Sequence, residues 1–338
     1  MAEGRVAFDA VTWRMRGTAA GAVTAIVAVA AWTALTVRAQ TYPDHALRLI
    51  VPLAAGGGND AAARMIALEL AKRLGQQIVV DNRPGGGSVI ASNLVLGAPA
   101  DGHTLYLVST AFSLAPILQN KLPFDTSRDF APLSRVGISP GGLIVHPSLP
   151  VRKVSDLVAI AKARPGEITF GSSGLGGGSH LGGELFNLLA QVKLLHVPYR
   201  GSAMATTSVL SGETSVAFNN PTSSMPHIKA GRLRLVAVTT AARWPLLPDT
   251  PTIHESGVRG YEHLIWNGLM VRAGTRPAVL ERLHKELSAA LKSPQATDML
   301  ARDSALPAPE TPEAFARFLA EEHKKWTPVV RRAGITPL

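Results

Sequence analysis

From about Tyr42 onward, short apolar runs alternate with longer stretches in which apolar side chains return every three or four positions. The short runs have strand length and the long ones helical period. A strand is predicted over 47–53, then a helix over 61–74 whose stripe is Ala62, Met65, Ile66, Leu68, Glu69, Leu70 and Leu74. A second strand over 77–80, a turn through Arg83-Pro84-Gly85-Gly86-Gly87, a helix over 88–96 and a strand over 104–108 follow. A second set begins near Gly142, with strands over 143–145, 168–170, 194–197, 215–218 and 233–238 and helices over 154–163, 181–190, 203–210 and 224–230. After a proline-rich loop over 245–251 come a strand over 264–271 and helices over 277–291 and 312–327.

Short, almost continuous apolar strands separated by helices predict α/β architecture with mainly parallel sheets flanked by helices. The last stretch has helices and no sheet of its own, so it is expected to pack on the first lobe. That makes lobe 1 discontinuous, 40–142 plus 264–338, and leaves 143–263 as lobe 2. Chain crossings near Gly141 and near Leu264 make a hinge, and ligands favour the cleft that such a hinge creates.

Two glycine-rich loops each stand between a strand and a helix. One is Gly56-Gly57-Gly58-Asn59-Asp60; the other runs from Gly171 through Ser172, Ser173, Gly174 and Gly176-Gly177-Gly178 to Ser179 and His180. A helix start aims unpaired N–H groups and the positive dipole end at one spot, which suits an anion. One helix terminus contributes roughly 0.3–1 kcal/mol, or about 2 when partly buried. Charge-assisted hydrogen bonds add about 1.5–3 kcal/mol each. Micromolar capture needs about 8 kcal/mol, which favours two loops closing on opposite ends of one small dicarboxylate over a single loop.

The segment over 17–37 carries no charged residue, and Arg14 and Arg16 precede it. Val37-Arg38-Ala39 ends in small residues suited to cleavage before Gln40, so 1–39 reads as an export signal, with an uncleaved anchor as the alternative. With 46% hydrophobic and 17% charged residues the chain is globular, and 338 residues suffice for two domains. It has no cysteine, which excludes disulfides and thiolate metal sites and fits a periplasmic protein. The net charge is +10; four arginines and two acids precede Gln40, leaving +8 beyond it. A basic field favours anionic ligands, but no long Lys/Arg block with interleaved aromatics points to nucleic acid.

Gly56-x-Gly58-x-x-Ala61 matches a relaxed dinucleotide loop, with Asp81 where a ribose-binding acid would stand, so an NAD-dependent oxidoreductase is the alternative function. Against it, four residues separate the strand from the glycines, and no catalytic set lies beside them. Gly171-Ser172-Ser173-Gly174-Leu175 lacks the last glycine of a nucleophile elbow. The histidines have no metal-binding spacing, so neither metal nor cofactor is expected. Asn59 and Asp60 are N-cap candidates, and Arg64 has ion-pair spacing to Asp60.

In order along the chain stand Val51-Pro52-x-x-x-Gly56-Gly57-x-x-Asp60-x-x-x-Arg64, Asp81-Asn82-Arg83-Pro84-Gly85, Asp101-Gly102-His103-Thr104-Leu105 and Asp129-Phe130-Ala131-Pro132. They continue with His180-Leu181-x-Gly183-Glu184, His196-Val197-Pro198-Tyr199, Leu247-Pro248-Asp249-x-Pro251-Thr252 and Trp266-x-Gly268. This series resembles the Bug family, the periplasmic solute receptors of tripartite tricarboxylate transporters. The resemblance implies a two-lobed Venus flytrap without catalysis, a monomer that captures a small organic carboxylate and hands it to membrane permease subunits. It also implies ligand contacts at Leu53, Gly57, Gly58, Asn59, Asp60, Thr110, Ser172, Ser173, Gly174, Ser179, His180 and Asn219. This chain departs from the family in having Leu53 where an aromatic is common and Ala55 where a proline is common, which opens the entrance.

Overall fold

Leu47–Val51 (β1) buries every side chain except Arg48, because it lies inside a sheet covered on both faces. In the computed structural model it pairs in parallel with Ile78–Asn82 (β2) on one side and Thr104–Ser109 (β3) on the other. The described residues are 42–56, 58–119 and 121–335, so the predicted signal and Gly57 lie outside them. Met1–Asp44 and His45–Leu338 are separate units, and of the first only Tyr42, Pro43 and Asp44 are described. No described helix is long and apolar enough to cross a membrane.

The first sheet continues beyond β3. Leu264–Arg272 (β10) pairs antiparallel with β3 and with Phe130–Pro140 (β4), and β4 pairs antiparallel with the two residues Leu306–Pro307 (β11). The order is β11-β4-β10-β3-β1-β2. The second sheet has Gly142–Val145 (β5), Thr169–Ser172 (β6), Leu195–Pro198 (β7), Val216–Asn219 (β8) and Arg234–Val238 (β9), in the order β7-β6-β8-β5-β9. Here β6 runs parallel to β7 and β8, whereas β5 is antiparallel to β8 and β9.

The α/β class therefore stands, with two sheets flanked by helices, but the expectation of mainly parallel sheets is corrected: both are mixed. The chain leaves the first sheet through β4 and re-enters it through β10, and each crossing strand lies against its neighbours in the opposite sense. Strand β4 has no counterpart in the predicted elements. Pro132, Gly137 and Pro140 punctuate it, and such residues normally mark turns. Register shifts between β4 and β10 after Asn267 and after Leu269 accommodate the irregular stretch.

The helices are Gly58–Leu74 (α1), Val89–Gly97 (α2), Thr110–Leu118 (α3), Val154–Ala163 (α4), Gly178–Ala190 (α5), Ser202–Leu210 (α6), Met225–Lys229 (α7), Pro277–Leu291 (α8), Pro294–Arg302 (α9) and Pro312–Arg332 (α10). Helix α8 buries Val279, Leu283, Leu287, Ala290 and Leu291, a stripe at helical spacing. Side chains of Ser293 and Thr311 cap α9 and α10 by accepting from the N–H groups of Ala296 and Ala314. Helix α3 was missed because Pro116 lies within it. In α1 the predicted stripe holds except at Leu68, which is exposed on the opposite face.

Helix α10 does more than cover the first sheet. Phe315 and Phe318 pack edge-on to Trp266 of β10, whereas Trp326, Val329 and Val330 join the core that contains Leu143, Phe170, Phe186 and Phe218 of the second sheet and its helices. The end of α10 thus shares a core with Leu114 and Leu118 of α3 as well as with the second sheet. Between these two halves, the buried carboxylate of Glu322 accepts from the indole N–H of Trp266 at 3.0 Å and of Trp326 at 3.1 Å.

Candidate functional site

In the second sheet the carboxyl ends of β7, β6 and β8 lie side by side because these strands are parallel neighbours. The second glycine loop leaves β6 there and enters α5. Its side chains are turned inward on the loop itself. Ser172 is fully buried, and its hydroxyl lies 2.6 Å from Nε2 of His196 and accepts from the N–H of Gly174 at 3.2 Å. Oγ of Ser179 accepts from the N–H of Ser173 at 2.9 Å, and Nδ1 of His180 accepts from the N–H of Gly176 at 3.0 Å. His180 stacks on His196 with ring centroids 3.7 Å apart. Burial pushes His180 down to about 3, helped by the charge that His196 would carry, and burial pushes His196 down to about 4. Both rings are neutral at pH 7, and an accepting Nδ1 on His180 puts its proton on Nε2.

Ser172, Ser179 and His180 therefore hold the loop's shape. What the loop presents is backbone, above all the first-turn N–H groups of α5, which have no intrahelical partner. Gly176 has φ +69°, and a Cβ there would overlap Leu118 at the end of α3. A glycine is required at this close approach.

The first glycine loop is braced by Asp60. Helix α1 begins at Gly58, so Asn59 and Asp60 lie inside its first turn and are not its N-cap. Asp60 is buried, and its Oδ2 accepts from the N–H of Gly56 and from Nε of Arg64, both at 3.0 Å. Burial works to raise its pKa, but hydrogen bonds from Arg64, Gly56 and Asn82 outweigh it and hold the carboxyl below the usual range. Gly58 is exposed, Asn59 half-buried, and Leu53 exposed at the rim with its carbonyl accepting from the Asn82 amide at 3.0 Å. Asp81, which a dinucleotide site would need for a ribose, is bound by Arg48 and by Arg83.

Thr110 is the first residue of α3. It is buried, and its Oγ1 lies 3.9 Å from the point where a Cβ of Gly178 would stand. The N-terminus of α3 thus lies beside that of α5. Nε2 of the fully buried His263 lies 3.2 Å from the same point. Asn219, at the end of β8, is fully buried; Nδ2 reaches the carbonyl of Ser202 at 3.5 Å, and Oδ1 has no partner. The structure thus brings Thr110, Ser172, Ser173, Gly174, Ser179, His180 and Asn219 to adjoining strand ends and helix starts. Arg200, which the sequence reading omitted, stands at the same edge, exposed, between Tyr199 and Gly201. Its position directly after the quoted His196-to-Tyr199 motif was the available signal.

Residues 62–335 match the family described as tripartite tricarboxylate transporter family receptor. The chain is 35% identical over 315 residues to protein BugT of Bordetella pertussis, covering 93% of this chain and 97% of BugT. It is similar to R. palustris Rpa4515 solved with adipate, with 36% identity, a TM-score of 0.81, and coverage of 88% of this chain and all of that one. It is also similar to MatC of Rhodopseudomonas palustris with bound malate, with 28% identity, a TM-score of 0.77, and coverage of 86% of this chain and all of that one. The chain belongs to the tripartite tricarboxylate transporter receptor family, which consists of periplasmic solute-binding receptors and not of enzymes.

Proposed function

We propose that this protein captures a small carboxylated organic anion between two lobes, 40–142 plus 264–338 and 143–263, and delivers it to the membrane permease of a tripartite transporter. The observation that carries this reading is the adjoining pair of helix starts at Thr110 and Gly178, beside a glycine loop whose side chains are spent on its own backbone. Such a site offers N–H groups and aligned dipoles, which bind carboxylate without a buried cation. The short first-turn segment of α1 offers a second set of N–H groups. Two relatives solved with dicarboxylates, adipate and malate, support the ligand class.

Export through an N-terminal signal follows from the same reading, since the receptor must meet its solute outside the cytoplasm. The test is a thermal-shift and calorimetric screen of mono-, di-, tri-, hydroxy- and aromatic carboxylates on protein lacking 1–39. Saturable binding of at least one carboxylate without its consumption is expected. Absence of binding across the whole panel, or turnover of a bound compound, would overturn the proposal.

A further inference from the structure

Several arginines of this chain are matched to carboxylates: Arg48 and Arg83 to Asp81, Arg64 to Asp60, Arg135 to Glu310 and Arg243 to Glu255. The outer face of α10 differs. Arg317, Lys324 and Arg331 are exposed there and form no ion pair among the described residues. They stand seven positions apart, close to two helical turns, so they line one face at intervals of about 10.5 Å. Arg332 adds an exposed cation beside the row.

The acids of α10 do not neutralise these charges. Glu322 is buried and spent on the indoles of Trp266 and Trp326. Glu313 and Glu321 are exposed and form no ion pair among the described residues, although Glu313 feels the charge of Arg317. From His323 to Ile335 there is no Asp or Glu. The negative dipole end of a helix favours cations only in its last turn, which accounts for Arg331 and Arg332 and not for Arg317 and Lys324. The row is also held in place, because Phe315, Trp326, Val329 and Val330 on the opposite side of α10 are buried.

We propose that the row Arg317, Lys324 and Arg331 is a docking face for an extended acidic segment of a protein partner. Three residues of extended chain span about 10 Å, so an acid at every third position meets each cation in turn. A bilayer fits the face less well. An interfacial helix binds lipid by burying an apolar face in it, and the apolar face of α10 already lies in the core. Between the cations the exposed side chains include the small Ala320 and Pro328, which leave the approach open. This face goes beyond the receptor reading and does not depend on which solute is bound.

Heteronuclear NMR titration of the purified protein tests it, with a peptide of four Glu-Gly-Ser repeats and its Gln-Gly-Ser counterpart. Saturable shifts of α10 amides are expected with the Glu peptide alone, and added salt should weaken them. The triple substitution Arg317→Gln, Lys324→Gln and Arg331→Gln should raise the Kd about tenfold. The triple Lys193→Gln, Lys229→Gln and Arg259→Gln removes the same charge from exposed sites elsewhere and should leave the Kd within about twofold. Melting curves of both triples should match wild type. Equal weakening by the two triples would assign the binding to the general basic field and overturn the face. Unchanged binding in the α10 triple, no binding of the Glu peptide to wild type, or shifts spread away from α10 would overturn it too. Sedimentation with phosphatidylglycerol vesicles in place of peptide binding would give the row to lipid and likewise overturn the proposal. Each of these failures leaves the receptor reading intact, because that reading is tested by carboxylate binding.

Discussion

The hydroxyl of Thr239 accepts from the N–H of Gly141 at 2.7 Å, and it also donates to the carbonyl of His263 at 2.7 Å. Gly141 is the single residue between β4 and β5, and His263 immediately precedes β10, so one hydroxyl ties together the two passages of the chain between the sheets. Backbone bonds double the tie: Thr239 N–H to the carbonyl of Gly141 at 3.0 Å and His263 N–H to that of Thr239 at 2.8 Å. Thr239→Val keeps the shape and deletes the hydroxyl, leaving a buried donor and acceptor unmet. A loss of about 1–3 kcal/mol in urea unfolding is expected, with Thr239→Ser close to wild type. Equal stability of the Val and Thr proteins would show that the hydroxyl contributes nothing.

Glu322 is a carboxylate shared by two indoles, one on β10 and one on α10 itself. Glu322→Leu leaves both N–H groups buried without an acceptor, at about 1–3 kcal/mol each. Glu322→Gln retains an acceptor oxygen and should lose less. Guanidinium unfolding followed by tryptophan emission measures both variants. The reverse order, Gln worse than Leu, would contradict the assigned hydrogen bonds.

Acid should destabilise the fold before its carboxylates are titrated. His180, His196 and His263 have pKa values of about 3, about 4 and about 3, all lowered chiefly by burial and, for His263, also by Lys325. A histidine that is harder to protonate folded than unfolded contributes full stability above its unfolded value, near 6.5. That contribution drains away as pH falls from about 6.5 toward 4. Glu184 opposes this in part, because burial raises its carboxyl. Urea midpoints measured from pH 7.5 to 4 should fall, and His196→Gln should flatten the slope. A midpoint independent of pH over this range would mean that the rings are not buried neutral.

Asp60 braces the first glycine loop through Oδ2, while its Oδ1 is buried without a hydrogen-bond partner among the described residues. Asp60→Ala frees the Gly56 N–H and unpairs Arg64. Carboxylate affinity measured by calorimetry is expected to fall about tenfold, roughly 1.4 kcal/mol. Asp60→Asn, which still offers an oxygen to Gly56, should fall less. Tighter binding in Asp60→Ala would identify Asp60 as a repulsive charge in the site.

Local signals in the chain were sufficient for much of this. The strand over 47–51, the glycine loops, the stripe of α8 and the Asp60–Arg64 pair all follow from spacing within a few residues. Tertiary structure decided the rest. Strand β4 exists despite two prolines because β10 supplies a partner with register shifts. The sheets are mixed because the chain enters and leaves each by crossing strands. The resemblance implies ligand contacts at Ser172, Ser179 and His180, and only the fold shows that their polar atoms also bond to His196, Ser173 and Gly176. The start of α3 beside that of α5, and the Asn219 amide reaching the carbonyl of Ser202, join residues far apart in sequence. Local propensity carries no information about such meetings; packing and strand order create them.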